Sequence, residues 1–281
     1  MVMLQTADEE HHVQIRSDGK RSPIDLLELL QSRDLLLNLA IRDIKVRYKQ
    51  TALGIVWVVL QPLLTSLIFA FIFGVLARMP SEGVPYILFA FAGLMAWNLF
   101  SQTVSKASSS LISNAHMVSK VYFPRLILPL SSAASALVDF AVTLAMLFVL
   151  LAVYRVWPGP ALLLLPVWVA ILVVMALGIG LLAGALMVKY RDINHIIPTF
   201  LQLGFYVSPV AWTTLIVPAK YRWVFQINPL TGLLDAFRWS LLGEGSLSAW
   251  QLAYSTATAA LIFWAGAVVF KQQEREFADV I

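Results

Sequence analysis

Residues 161–188 contain no charged side chain, and a backbone that runs so far without charge has few ways to fold. An apolar run of about 18 residues or more reads as a helix that crosses a bilayer. Stretches of this kind lie at about 53–77, 85–104, 126–154, 161–188, 196–217 and 250–270. The stretch at 196–217 contains Pro198 and Pro209 and is expected to bend. The expected fold is an all-α integral membrane protein with six transmembrane helices. Composition agrees: 13% of residues are charged, about half the share of a soluble domain, too few to cover a soluble fold of this size. Cysteine is absent, which excludes a disulfide framework, Cys-ligated zinc and a thiol nucleophile.

The first fifty residues are polar and charged, without the basic-then-apolar order of a cleavable signal. The expected layout is a flexible cytoplasmic tail at 1–22, amphipathic helices at 23–50, one six-helix membrane domain at 51–271 and a cytoplasmic tail at 272–281. With the N-terminus inside, fifteen Lys and Arg residues fall on the cytoplasmic side and five (Arg78, Arg155, Lys220, Arg222 and Arg238) on the other. That asymmetry places both termini in the cytoplasm.

Ser22-Pro23-Ile24-Asp25 reads as a helix start, with Ser22 as cap and Pro23 at the first helical position. A second helix is expected from Arg33 toward Lys49. Leu37, Ile41, Ile44 and Tyr48 form its apolar stripe, and Arg42, Lys45 and Lys49 lie away from it. Such a helix is either a lipid anchor in the membrane interface or a docking helix for a cytoplasmic partner. Residues 105–125 are too many for a tight loop and too polar to span. They form either a solvated loop or a short helix presented to a partner. Beyond the 196–217 stretch, residues 216–245 are apolar but broken by Pro218, Asn228-Pro229, Gly232, Gly243 and Gly245. Two short pieces result, around 223–227 and 230–242. Both are too short to span, so a re-entrant outer hairpin is expected. Within it Asp235 and Arg238 are three apart and would share a helix face.

Asp139 is the one clear acid in the spans, with a helix-packing hydrogen bond beside Ser131, Ser132 and Ser135 as its plainer reading and ion coupling as the sharper one. Aromatics are frequent. Most suit lipid-facing belts, but Phe69, Phe73, Tyr86, Trp97, Tyr206 and Trp212 are candidates for a channel lining, where flat apolar faces suit sugar rings. The four histidines form no metal-binding pair, and the only Gly-Lys step, Gly19-Lys20, is followed by Arg21, so there is no phosphate-binding P-loop. No catalytic constellation and no metal site emerge, and nothing points to nucleic acid. A membrane-embedded lipid-modifying enzyme would need acid–base or metal-binding residues gathered at one membrane face.

The run from Arg42 through Tyr48 to Trp57, followed by Leu60-Gln61-Pro62, resembles the opening signature of type-2 ABC exporter permeases. The subgroup it is most similar to exports polysaccharides (the Wzm, KpsM and TagG kind). Tyr122-Phe123-Pro124-Arg125, Tyr190-Arg191-Asp192 and Asn228-Pro229 extend the similarity over about residues 25–272. The resemblance implies a half-transporter and no enzyme: two copies form the channel, two copies of a separate ATPase bring ATP and Mg, and a lipid-linked glycan such as O-antigen leaves across the bacterial inner membrane. Teichoic acid, capsule, lipid and drug exporters share the plan. It also implies an ATPase-facing helix carrying Arg42, Asp43, Lys45, Arg47 and Tyr48. A coupling segment would carry Ser113, Asn114, His116, Lys120, Tyr122, Phe123, Pro124 and Arg125. Asn228, Pro229, Asp235 and Arg238 would form an outer gate.

Overall fold

The computed structural model of the chain describes residues 30–49, 55–121, 123–245, 247–274 and 277. The predicted helix start at Ser22 lies outside them, as do Tyr122 and residues 50–54 of the opening motif. Among the described residues there is no strand. Helix α1 is Arg33–Lys49, and α2 is Ile55–Phe69, continued by a π-helical stretch, Ala70–Leu76. Next come α3 (Tyr86–Ser113), α4 (Ala115–Lys120) and α5 (Ile127–Tyr154). A 3-10 turn, Pro160–Leu164, leads into α6 (Leu165–Lys189), and α7 is Ile193–Val207. The chain ends with α8 (Arg222–Gln226), α9 (Pro229–Leu242) and α10 (Ala249–Gln273).

Among the described residues, five helices are long and apolar enough to cross a membrane: Val56–Leu76, Tyr86–Ser113, Ile127–Tyr154, Pro160–Lys189 and Ala249–Gln273. The expected 196–217 span is not one of them. Helix α7 has 15 residues, about 22 Å at 1.5 Å per residue, short of a hydrocarbon core about 30 Å thick. It stops at Val207 because Pro209 forces the residue before it out of the helical region. Ser208 accordingly has a ψ of 145°. A second difference lies at 105–113, which continues α3. The serines there are tolerated because their hydroxyls bond back to their own helix, Ser108 to Ser105 O at 2.9 Å and Ser110 to Ala107 O at 2.8 Å. Only after Asn114 does a short separate helix, α4, form.

Helix α3 is the axis of the bundle: 83% of its apolar window is buried, against 11% for the span beginning at Val56. It packs on α5 and α6, and α6 packs in turn on α10. Without a hydrophobic drive between helices in lipid, close approach depends on small residues. A Cβ placed on Gly266 of α10 would lie 2.2 Å from the carbonyl oxygen of Gly178 on α6, and one on Gly178 would lie 2.6 Å from the Phe263 Cα. Backbone meets backbone there, so neither position admits even a methyl group.

Helix α1 packs along α5 with a face that takes in only half of the predicted stripe. Leu39 and Ala40 are buried and Leu35 and Leu36 partly so, whereas Leu37 and Ile41 are exposed. Ile44 and Tyr48 do lie on the packed side, and Arg42, Lys45 and Lys49 are exposed. Charged partners turn the helix: the face that carries Leu39 and Ala40 also carries Arg47, whose partner is on α5.

Gly266→Ala should lower the thermal midpoint in detergent by several degrees, since overpacking a tight contact costs about 1–3 kcal/mol. Gly159→Ala, whose new Cβ meets nothing within 4 Å, should leave it unchanged. Equal midpoints for both variants would show that the α6–α10 crossing is not a close contact.

Candidate functional site

Asp139 projects from the middle of α5 and is 2% exposed. An ionised carboxylate in an apolar bundle is unstable without partners. The nearby serines do not supply them: Ser131 and Ser132 bond back to Leu128 O and Pro129 O, at 3.0 and 2.7 Å. Cations do. Arg47 of α1 places Nη2 2.8 Å from Oδ2, and Lys106 of α3 places Nζ 3.4 Å from the same oxygen. The Tyr48 hydroxyl donates to Oδ1 at 2.5 Å, and Lys106 also donates to Ser135 Oγ at 2.8 Å. Burial, and then the bond to Asp139, push the Tyr48 phenol above its ordinary range, so it remains a donor. One carboxylate thus ties together α1, α3 and α5.

Beside this cluster a groove of about 530 Å³ opens between α1, α2 and α3. Arg47, Tyr48 and Lys106 line one side, and Trp57, Gln61, Asn98 and Gln102 line much of the rest.

The same end of the bundle brings the two predicted partner-facing groups together. Arg42 donates through Nη2 to Asn114 Oδ1 at 2.8 Å while pairing with Asp43 at 2.8 Å. Asn114 in turn donates from Nδ2 to Ser110 O at 2.9 Å. Ser113, His116 and Lys120 are exposed, as is Lys45 on α1. Beneath α4 an apolar cluster holds Leu39 of α1, Val118, Phe123, Leu126 and Phe270. Pro124 is half-buried in the same turn. The Arg125 backbone N–H bonds Glu274 Oε1 at 3.2 Å, and its guanidinium lies 5.9 Å from the Phe277 ring centroid.

At the opposite end, Arg238 of α9 is 2% exposed. Its Nη2 donates to Pro209 O and Val210 O at 2.5 and 2.6 Å, and its guanidinium lies over Phe89 at 4.0 Å. Asp235 is 3.5 Å from Nη1. Asn228 caps α9 by accepting from Leu230 N at 3.0 Å, and donates to Ser208 Oγ at 2.9 Å. Pro229 fills the first helical position, where its missing N–H costs nothing, and its carbonyl accepts from Ser255 at 2.6 Å.

The aromatic candidates divide. Phe69, Trp97 and Tyr206 meet at Phe205, and Phe73 meets Phe69, with neighbouring centroids 5.5–6.1 Å apart. Tyr86 is instead buried and bonded to Ala211 O, and Trp212 packs on Phe225 at 5.0 Å. Among the described residues, no group of three or more His, Asp or Glu comes together to hold a metal ion.

Sequence reasoning gave no site role to Lys106, Gln102 or Glu274. For Lys106 a signal was present: it is the only charged residue in α3, as Asp139 is in α5, and two lone opposite charges in neighbouring apolar helices are candidates to pair.

Asp139→Asn should cost about 3 kcal/mol, the scale for breaking one partner out of a buried pair. It should also speed amide exchange in residues 33–49 while the centre of α3 stays protected. Unchanged exchange in α1 would mean that its apolar face alone holds it.

The ABC-2 type transporter family profile matches residues 34–242. The chain is 30% identical over 256 residues to the O-antigen export system permease protein RfbA of Myxococcus xanthus, covering 90% of this chain and 98% of that protein. It is 29% identical to the RfbA of Klebsiella pneumoniae, covering 88% and 95%. To the polysialic acid transport protein KpsM of Escherichia coli it is 21% identical, covering 84% and 92%. A profile match across most of the length, on a bundle with five membrane-crossing helices, makes this chain a multi-pass membrane protein of the ABC-2 type transporter family.

Proposed function

We propose that the chain is the permease subunit of an ABC exporter that moves a lipid-linked, O-antigen-like polysaccharide across the bacterial inner membrane. A separate ATPase subunit, present in two copies with ATP and Mg, supplies the energy, and two copies of this chain form the passage. The observation that carries the reading is the joining of α1 to the α3–α4 corner by Arg42 and Asn114, at 2.8 Å. Both groups lie at the end of the bundle where Lys45, His116 and Lys120 are exposed, so one charged platform faces a single partner. Force applied to that platform reaches the membrane helices through Arg47, Asp139 and Lys106. The names of the relatives supply the cargo class.

Helix α7 and the extended segment that continues it to Ala211 together serve as the remaining crossing, giving six and leaving both termini in the cytoplasm. The helix leaves the Lys189 end of α6, and the segment after it reaches the opposite, Tyr86 end of α3 at Ala211. Helices α8 and α9 then form the re-entrant gate, held by Arg238 and Asn228. The chained aromatics from Phe69 to Tyr206 offer ring faces to sugars.

The purified chain should hydrolyse no ATP alone and should co-purify with the ATPase encoded beside it as an active complex. Within that complex, Arg42→Ala and Arg125→Ala should keep ATP hydrolysis yet reduce glycan export about tenfold, a loss of about 1.4 kcal/mol of coupling. Failure to bind any such ATPase would sink the permease reading, and normal export by both variants would remove the coupling role from this corner.

A further inference from the structure

The turn that leads into α5 is closed by a residue from far along the chain. A helix start leaves backbone N–H groups without partners inside the helix. Leu126, at the N-terminal boundary of α5, supplies no side-chain cap, and Phe123 and Pro124 before it carry no side-chain acceptor. The acceptor comes instead from Glu274, 149 residues further on and just past α10, whose Oε1 takes the Arg125 N–H at 3.2 Å. Its other oxygen, Oε2, is held by Lys271 Nζ at 2.6 Å. One oxygen is thus oriented by a cation on its own helix while the other faces the start of α5, where the helix dipole favours a negative charge. The Glu274 side chain is 17% exposed, so water competes only weakly for it.

Phe277 completes the clasp. It is buried, meets Phe270 edge-on with ring centroids 5.2 Å apart, and has the Arg125 guanidinium 5.9 Å from its own centroid. Phe270 and Phe277 share one apolar cluster with Val118 of α4, Phe123 of the turn, and Leu181 and Ala185 of α6. Higher up, α10 is pressed backbone to backbone on α6, where Gly266 meets Gly178. Apolar packing explains the ring. It does not call for a charged group oriented toward a main-chain N–H, and that contact fixes the turn in one position.

We propose that Glu274 and Phe277 are positioning residues for the coupling corner: they hold the Arg125 turn on α10, so that a push on α4 moves α10 and α6 and is not lost in bending the turn. This deepens the permease reading and rests on it, since that reading puts α4 on the ATPase side. It adds a route for force separate from Arg47, Asp139 and Lys106, which leads to α3 and α5.

The test has three readouts. Amide exchange over residues 123–130 and ATP hydrolysis are measured on the full chain with its co-purified ATPase in nanodiscs. Export is measured in cells whose own copy carries the variant, as surface polysaccharide per molecule of complex. Glu274→Ala should speed exchange at residues 125–128 about fivefold and lower export per ATP hydrolysed about fivefold, the scale of one lost helix cap. Glu274→Gln keeps an acceptor oxygen and should recover about half of that ratio. Phe277→Leu keeps the apolar fill and removes the ring beside Arg125, so it should lower the ratio about twofold. It decides the matter if Glu274→Ala does not assemble. Unchanged exchange and export in the variants would overturn the proposal. So would a parallel fall in assembled complex, hydrolysis and export that leaves export per ATP at its original value, since a merely structural role predicts that. ATPase capture by the unaltered chain is scored separately. Capture with normal export by the variants removes only the clasp. A chain that captures no ATPase removes the permease reading, while exchange at residues 125–128 still shows whether Glu274 holds the turn.

Discussion

A single carboxylate sets the terms for half of this molecule. Asp139 is buried, and two cationic side chains and a phenol converge on it. The partners come from α1 and α3, so satisfying one buried ion fixes the position of three helices. Once Arg47 is held there, the face that α1 can bury follows, and with it the placement of Leu39 over the Phe123 turn. The Arg42–Asn114 contact follows as well. A polar surface helix is thereby attached to an apolar bundle through electrostatics as well as oil. Such an attachment transmits displacement better than a greasy contact that slides.

The other end of the bundle solves a different problem by similar means. Helix α9 is too short to cross a membrane and is buried among longer helices, so the ends of its neighbours must satisfy its surroundings. Arg238 does this by reaching out of α9 to the carbonyls of Pro209 and Val210, which the break after α7 leaves without helical partners. One nitrogen, Nη2, takes both oxygens while the guanidinium plane lies on Phe89, a stacking that an ammonium does not offer. The break caused by Pro209 and the burial of Arg238 are therefore two halves of one arrangement.

Much of this was legible in the sequence, for identifiable reasons. Long uncharged runs announced the crossing helices, and the punctuation at Asn228-Pro229 and Gly243 placed α9 to within one residue. The errors came where a local rule met a tertiary one. The serines of 105–113 read as a solvated loop or a short separate helix because polarity argues against a span, yet their hydroxyls close on their own backbone and the membrane helix continues. At 196–217 the regular helix stops at Val207, because Pro209 ends it where Arg238 takes up the free carbonyls. The stripe on α1 was chosen by hydrophobicity, whereas an ion pair with a residue some ninety positions away chose the face. The pairing of Lys106 with Asp139 was within reach, had the lone lysine been read as part of the membrane helix and not of a loop.

Gly93 carries a consequence of its own. Its missing side chain leaves the space into which the Val210 carbonyl and the Arg238 fork fit; a Cβ there would lie 2.0 Å from that oxygen. Val210 gives only a main-chain oxygen to the joint, while Pro209, which ends α7, Gly93, which has no side chain, and Arg238, which donates to both carbonyls, give their chemical identity. The joint therefore tolerates change at Val210 far better than at the other three. It also welds the loop after α7, the start of α3 and α9 into one rigid piece, so any passage past this end must form along the rim of that piece and not through it.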